Sequence, residues 1–232
     1  MGNLYIVSTP IGNLQDITLR AIEVLKSVDF IAAEDTRKTA VLLRHFFTEN
    51  SKQMTDKLIS YYEEVESQKI SQVINLLVNG KNVALVSDAG TPTISDPGFK
   101  LVREAISNNI KVVSIPGPTS LISALVSSGL PTDKFLFLGF LPQKPGHRVK
   151  MLENAKKSLE IINSTVIIFE SPHKLKKSLE DILEVFGDID IVVARELTKI
   201  YEEVIKEKVL FFINKYQNKT PKGEIVILFN LK

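Results

Sequence analysis

The segment LVSDAGTPTISDPGF, residues 85–99, combines acidic residues with turn-forming residues directly after an apolar run. Asp88 and Asp96 supply carboxylates, Gly90 lets a ligand approach the backbone closely, and two prolines restrict the path of the chain. Carboxylates oppose a phosphate group but favour a ligand with cationic centres. The segment therefore predicts a rigid loop that binds a cationic small molecule, although both acidic residues could instead cap turns and the following helix.

Nucleotide-binding fingerprints are absent from the sequence. Neither G-x-G-x-x-G nor G-x-x-x-x-G-K-[ST] occurs, and these are the patterns whose backbone N–H groups bind phosphates. S-adenosylmethionine carries a sulfonium, an ammonium and an adenosine but no phosphate. It is therefore a ligand that suits these residue types.

Segments of small, hydroxyl-bearing and charged residues follow several other apolar runs. They are STPIGN (8–13), AEDTR (33–37), PGPTS (116–120), FESPH (169–173) and ARELTK (194–199). A single such segment describes an ordinary turn. In open parallel sheets, however, ligands bind beyond the carboxyl ends of the strands, so several such segments together predict the wall of a site.

The elements that must position these segments are short strands alternating with helices. Apolar runs predict strands at 4–8, 30–34, 58–62, 83–87, 112–115, 135–140, 165–170, 191–194 and 224–229. Helical periodicity occupies most of the gaps, for example at 18–28, 66–78 and 174–186. This alternation predicts α/β architecture with largely parallel sheets. The spacer SIPGPTS near the middle predicts two α/β domains, 1–115 and 116–232.

Composition indicates an ordinary globular protein with 44% hydrophobic and 24% charged residues among 232. The absence of cysteine excludes disulfides, thiol nucleophiles and thiolate metal sites, and a reducing, cytoplasmic location is expected. No apolar run approaches the ~20 residues of a membrane span, so no membrane association is expected. His45, His147 and His173 lack ligand spacing, and we expect no metal.

The formal net charge is only +2, but its distribution is uneven. Residues 144–177 hold eight Lys or Arg and three Glu. Such a patch can attract a polyanion such as RNA. The same charges could also be the solvated faces of two helices.

Taken together, the motifs resemble those of the small-subunit ribosomal RNA cytidine 2′-O-methyltransferases, a branch of the tetrapyrrole methylase superfamily. The resemblance runs through YIVSTPIGNLQDITLRA (5–21), AEDTRKT, SDAGTPTISDPG, IPGPTS, GFLP (139–142), FESPHK, ARELTKIYEE and KGEIVILF (222–229). It implies two α/β domains with S-adenosylmethionine in the cleft between them, and a homodimer. The implied partner is small-subunit ribosomal RNA or the assembled small subunit.

The resemblance also assigns residues to the cofactor. In this context a site role is favoured for Asp88. The cofactor-binding residues that it implies are Thr9, Pro10, Gly12, Asn13, Asp88, Gly90, Thr91, Ile94, Thr119, Ser120, Phe169 and Gly223.

Methyl transfer to a ribose 2′-hydroxyl needs alignment and either a base or a cation that stabilises the developing oxyanion. The candidates at strand ends are Glu170, Lys199, Arg195, Glu196, Asp35, Arg37 and Glu34. Glu170 is preferred because Pro172 fixes the turn after it, and Lys199 because a cation there could stabilise an alkoxide. Ion pairing among these residues is the alternative.

Three functions remain open from the sequence: an RNA 2′-O-methyltransferase, a small-molecule tetrapyrrole methylase and a non-catalytic binding module. The motifs STPIGN, EDTR, ESPHK and RELTK favour the first. Longer members of the family extend beyond the methylase core, whereas this sequence stops at FNLK. We therefore expect RNA affinity to come from the core or from a dimer.

Overall fold

The first sheet is built from five short, mostly apolar strands that all run parallel. The computed structural model describes residues 1–231, and its first sheet has the order β3-β2-β4-β1-β5. The strands are β1 (Asn3–Val7), β2 (Phe30–Ala33), β3 (Leu58–Ser60), β4 (Val83–Val86) and β5 (Lys111–Ile115). Every residue of β4 is buried, because helices cover both faces of the sheet.

The helices of this first unit divide between the two faces of the sheet. They are α1 (Leu19–Ser27), α2 (Thr36–Phe46), α3 (Ser51–Thr55), α4 (Glu66–Val78) and α5 (Phe99–Ser107). Helices α1 and α2 pack into one apolar cluster with β1 and β2, whereas α4 and α5 pack into another. Thr18 begins α1 by accepting a hydrogen bond from the Ala21 N–H at 3.1 Å.

The second sheet corrects the prediction of largely parallel sheets. Its strands are β6 (Phe135–Phe140), β7 (Thr165–Glu170), β8 (Asp190–Arg195), β9 (Glu203–Lys208) and β10 (Ile225–Phe229). Their order is β6-β7-β10-β8-β9, in which only the β6–β7 pair is parallel. The final strand β10 inserts between β7 and β8 in the opposite direction. The loop from β8 to β9 is too short for a parallel crossover, so β9 returns antiparallel.

The helices of the second unit are α6 (Ser120–Ser127), α7 (Pro145–Ile161), α8 (Leu175–Phe186) and α9 (Val209–Lys215). Helices α7, α8 and α9 share one apolar core with alternate residues of the sheet. Arg148 of α7 is buried and forms an ion pair with Asp181 of α8. This pair ties together the two helices that carry most of the basic segment 144–177.

The two compact units comprise Met1–Thr119 and the residues from Ser120 onward. Residues 116–119 therefore lie with the first unit rather than opening the second. The cause is local: the Thr91 hydroxyl donates to the Pro118 carbonyl at 3.0 Å, and Gly117 packs against Ser8. Within residues 1–231, no helix has the length and apolar character needed to cross a membrane.

Candidate functional site

In the first unit the polar segments lie along one edge of the sheet. Because the strands are parallel, the loops after β1, β2, β4 and β5 all leave from their carboxyl ends. The chain continues from β1 to α1 on one face and from β4 to α5 on the other face. Adjacent strands whose connections diverge in this way form the crevice in which open α/β sheets bind ligands. These loops therefore lie at one edge, as predicted, and their role as the wall of a ligand site stays a prediction.

The loops after β1 and β4 are joined at the crevice by a pair of backbone hydrogen bonds. The Thr9 N–H donates to the Gly90 carbonyl at 2.9 Å, and the Gly90 N–H donates to the Thr9 carbonyl at 3.0 Å. Gly90 has φ +84°, a conformation that favours glycine. Ser8 and Thr91 share a hydroxyl hydrogen bond of 2.9 Å. The backbone at Gly90 is therefore held rigidly and presents no side chain.

The loop that follows Gly90 is anchored at its far end by a buried carboxylate that the sequence analysis did not single out. Glu66 Oε1 accepts hydrogen bonds from the Gly98 N–H at 2.9 Å and from the Tyr61 hydroxyl at 3.3 Å. Its other oxygen lies 3.1 Å from Lys100 Nζ. Burial and the neighbouring carboxylate raise the pKa of Tyr61. In the sequence, Glu66 looks like any acidic residue in the first turn of a helix.

Asp88 belongs to an acidic network that joins the ends of β2 and β4. Its Oδ1 accepts from the Asp35 N–H at 3.0 Å, and its Oδ2 lies 2.6 Å from Lys38 Nζ. The Asp88 N–H donates to Glu34 Oε2 at 3.2 Å. Burial raises the pKa of Glu34, although the hydrogen bond from Asp88 opposes this. Both carboxylate oxygens of Asp88 therefore already have partners within the protein.

Asp35 and Arg37 form an ion pair at the start of α2. Asp35 Oδ1 accepts from the Arg37 backbone N–H at 2.9 Å and from Arg37 Nε at 3.0 Å, while Oδ2 accepts from Nη2 at 2.8 Å. These hydrogen bonds hold the pKa of Asp35 well below its usual range. The carboxylate thus caps the helix and orients the exposed guanidinium.

The remaining cofactor predictions of the first unit occupy varied environments. Pro10 is buried, whereas Gly12 and Asn13 are exposed, and Asn13 caps a short 3-10 helix by accepting from the Gln15 N–H at 3.0 Å. Ile94 is exposed between Thr93 and Ser95, which both have positive φ. Thr119 ends the first unit, and Ser120 begins α6 in the second. The strained, exposed part of the loop is thus centred on Ile94.

In the second unit the predicted catalytic residues also share one sheet edge. Glu170 ends β7 and Arg195 ends β8, and both pair with Ile225 at the start of β10. The insertion of antiparallel β10 therefore keeps the carboxyl ends of β7 and β8 at the same edge. It also brings Gly223 and Glu224, which precede β10, to that edge.

Glu170 is buried, with 2% of its surface exposed, and faces α8. One carboxylate oxygen accepts from the Ser178 hydroxyl, and the other accepts from the Ser171 N–H at 2.7 Å. Because side chains alternate along a strand, Phe169 lies on the opposite face, where its ring contacts Phe137 and Phe140. Glu170 is held rigidly, as the sequence indicated, but its oxygens bind the turn and helix that follow it.

Lys199 is the cation at the centre of the loop after β8. Its Nζ lies 2.9 Å from Glu196 Oε1 and 3.4 Å from Glu224 Oε2. Partial burial lowers the pKa of Lys199, but the hydrogen bonds and charges of these two carboxylates outweigh that effect and raise it overall. Lys199 is therefore a positively charged donor at neutral pH and not a base. Glu224 is a partner that the sequence analysis treated only as a strand residue.

Gly223 leaves space for the side chain of Glu196, which contacts Lys199. It has φ +89°, and a Cβ built there would lie 2.0 Å from Glu196 Oε1. Glu196 itself has φ +53° and Thr198 has φ +65°. Non-glycine residues with positive φ are uncommon and concentrate at functional loops. The glycine thus admits the Glu196 side chain that contacts Lys199.

Arg195 lies in a second ion-pair group beside this loop. Its Nε is 3.5 Å from Glu203 Oε2, and its Nη1 donates to the Lys222 carbonyl at 3.1 Å. Glu203 also pairs with Lys215 at 2.9 Å, and the Lys215 hydrogen bond lowers the pKa of Glu203. Arg195 therefore links β8 to β9 and to the segment before β10.

The basic residues of segment 144–177 do not all lie on the surface. Arg148 is buried against Asp181, and the exposed Lys156 donates to the Val185 carbonyl at 2.7 Å. Lys176 and Lys177 are exposed on α8.

In the part of the chain that the structure describes, no three His, Asp or Glu side chains are grouped to hold a metal ion.

The fold of these two α/β units is shared with a solved methyltransferase. The solved uroporphyrin-III C-methyltransferase of Thermus thermophilus, complexed with S-adenyl homocysteine, aligns with a TM-score of 0.62 at 14% identity over 98% of this chain and 97% of that chain. The sequence model of the family Tetrapyrrole (Corrin/Porphyrin) Methylases matches residues 3–210 of this chain. This chain belongs to that family.

Curated relatives within the family share far more of the sequence. The ribosomal RNA small subunit methyltransferase I of Thermotoga maritima is 45% identical over 232 residues, which is 100% of both chains. That of Halalkalibacterium halodurans is 44% identical over 227 residues, covering 98% of this chain and 75% of the relative. The resemblance inferred from the motifs is confirmed.

Proposed function

We propose that this protein is an S-adenosylmethionine-dependent methyltransferase that methylates the 2′-hydroxyl of a cytidine in small-subunit ribosomal RNA. The observation that carries this proposal is the 45% identity over the full length of a relative named ribosomal RNA small subunit methyltransferase I. The match covers all 232 residues, and therefore both α/β units.

The first-unit crevice has the features that S-adenosylmethionine requires. Gly90 presents bare backbone, and hydroxyl and carbonyl groups surround it at Thr9 and Thr91. When bound, this cofactor supplies a methyl group activated by its positively charged sulfur. Because Asp88 is already paired, we assign it to hold the loop and to make the local potential negative rather than to bind the cofactor ammonium alone.

We assign Lys199 to the acceptor oxygen. A ribose 2′-hydroxyl is a very weak acid, and negative charge grows on its oxygen as its proton passes to solvent water. A fixed ammonium stabilises that charge without reorganising. Glu196 and Glu224 hold Lys199 from two sides and keep it protonated, and the remaining N–H of its ammonium is the donor assigned to the acceptor oxygen.

Glu170 and Arg195 act as positioning residues in this proposal. Glu170 fixes the Ser171–Pro172 turn and the start of α8, and Arg195 fixes the strands on either side of the Lys199 loop. Their contribution to the reaction is then the alignment of other groups.

A small-molecule tetrapyrrole methylase is the alternative, because the family description and the Thermus thermophilus structure name such substrates. Mass-spectrometric mapping of ribosomal RNA methylation, with and without the protein, separates the two. We expect one additional ribose methyl group on a small-subunit cytidine when the protein and S-adenosylmethionine are present. No change in the RNA, together with methylation of a porphyrinogen, would support the alternative.

The proposal extends to assembly and location. A homodimer is expected from the family resemblance, and light scattering coupled to size exclusion would measure its mass. Because small-subunit ribosomal RNA is the proposed substrate, the protein should act in the cytoplasm. The cysteine-free sequence is compatible with that reducing compartment.

A further inference from the structure

Helix α2 borders a surface groove that has no assigned ligand, although Arg37, one of the predicted catalytic residues, lines it. The groove has a volume of about 490 Å³ and is lined by Thr36, Arg37, Ala40, Val41, Arg44, Thr55 and Leu58. The first five of these residues lie on α2, whereas Thr55 ends α3 and Leu58 begins β3. It is large enough for a small organic group, since ligand pockets begin at about 300 Å³.

The α2 wall combines charge with exposed apolar surface. Arg37, Val41 and Arg44 are spaced i, i+4 and i+7, so they follow one face of the helix over about 10 Å. Val41 is 63% exposed and lies between the two arginines on this face. This wall presents a cation, an apolar surface and a second cation in succession.

The two arginines differ in their pairing. Asp35 holds Arg37 through two side-chain hydrogen bonds and neutralises much of its charge. Arg44 is exposed and lies within 4.0 Å of no carboxylate among residues 1–231. The groove therefore carries about one uncompensated positive charge beside an apolar surface.

We propose that the α2 groove binds one nucleotide of single-stranded RNA, with Arg44 contacting a phosphate and Val41 contacting the base. Single-stranded nucleic acids are bound by cations that follow the backbone and by apolar or aromatic surfaces that contact the bases. The single uncompensated positive charge of the groove matches the single negative charge of one phosphate. A tetrapyrrole substrate, in contrast, carries several carboxylates. The inference rests on the proposed RNA methyltransferase function and adds an RNA contact besides the one at the reacting hydroxyl.

The test uses the full-length protein and an unmodified transcript of small-subunit ribosomal RNA. RNA binding is measured across a salt series for Arg44→Ala, Arg44→Lys and Val41→Ser. Arg103→Ala is the matched control, because Arg103 is also exposed but lies on α5 at the opposite face of the same sheet. Thermal unfolding and S-adenosylmethionine binding confirm that each variant is intact.

Arg44→Ala should reduce the slope of log affinity against log salt by about 0.7, the value for one phosphate contact with a single strand. Arg44→Lys should keep the wild-type slope. Val41→Ser should weaken binding about fivefold without changing the slope, since it removes partial apolar burial. Arg103→Ala should match the wild type in both quantities.

The experiment distinguishes failure of the groove assignment from failure of the proposed function. If wild-type protein methylates the transcript while Arg44→Ala keeps the slope of Arg103→Ala, the groove assignment is wrong and the proposed function stands. If wild-type protein neither binds nor methylates the transcript, the proposed function is wrong and this inference falls with it.

Discussion

Replacing Gly90 with alanine tests whether the loop after β4 contacts S-adenosylmethionine. Gly90 has φ +84°, and a Cβ there would lie 3.4 Å from Ile11 Cγ2 and 3.9 Å from the Pro118 carbonyl oxygen. These are ordinary van der Waals contacts, so the protein accommodates the methyl group. The cost to the free protein comes from the backbone conformation alone.

Gly80 provides a matched control for this substitution. It has φ +83°, and a Cβ there would have no neighbour within 4 Å. Gly80 precedes β4 whereas Gly90 follows it, so the two glycines lie at opposite edges of the sheet. An alanine in the left-handed conformation costs about 1–2 kcal/mol, and we expect this loss of folding stability at both positions.

Cofactor affinity should separate the two variants. Gly90→Ala places a methyl group where backbone is proposed to approach the ligand, and we expect S-adenosylmethionine binding to weaken about tenfold or more, equivalent to about 1.4 kcal/mol. Gly80→Ala should bind as the wild type does. Denaturant unfolding gives the stability of each variant, and titration calorimetry gives its affinity. The branched variant Gly90→Val should lose more of both.

Equal S-adenosylmethionine affinities in folded Gly90→Ala and Gly80→Ala would refute the reasoning. That result would mean that Gly90 adopts its conformation only to form the bridge with Thr9. A loss of affinity in both variants would instead indicate a general effect of reduced stability.

Lys199→Met should lower the single-turnover methylation rate by about 10²–10⁴ while S-adenosylmethionine binding is retained. Because its pKa is raised in the folded protein, Lys199 stays charged from neutral pH to about pH 10, and its stabilising contribution is lost only as the pH rises through that raised pKa. The rate should therefore show no titration of this residue between pH 7 and about 10, and a normal rate in Lys199→Met would remove it from the reaction. Glu170→Gln should destabilise the protein by about 1–3 kcal/mol, because a buried acceptor of two hydrogen bonds is changed, and a rate loss without that destabilisation would return Glu170 to a direct chemical role. Joint replacement of Lys174, Lys176 and Lys177 by alanine should weaken RNA binding and flatten its salt dependence, whereas an unchanged slope would make α8 a solvated surface.

Much of the secondary structure could be predicted because apolar periodicity is local. The nine predicted strands are confirmed within two residues at each end, and the helix predicted at 66–78 is α4 with the same bounds. Strand β9, EVIKEK, was missed because it lies at a sheet edge and carries three charged residues at its exposed end. An exposed edge strand lacks the apolar run by which buried strands are recognised.

The sequence could predict which residues end strands, whereas their binding of a ligand stays a prediction. The loops after β1, β4 and β5 meet because parallel strands end at one edge, which the sequence order of apolar runs already implied. The hydrogen-bond and ion-pair partners of each carboxylate could not be predicted from the sequence. Asp88, Glu170 and Asp35 each follow an apolar run, and nothing in the sequence shows that each is paired with different groups on other elements or in the following turn.

By itself, the sequence determined the α/β class, the positions of the strands, the absence of thiol chemistry and the motifs that place the chain in its family, because all of these depend on local composition and order. Only the tertiary structure decided that β10 runs antiparallel between β7 and β8, that Glu170 faces α8, and that Glu224 joins Lys199. Those outcomes depend on which distant segments bury one another's apolar surface and satisfy one another's hydrogen bonds. Such pairing energies belong to the folded chain as a whole and leave no local pattern.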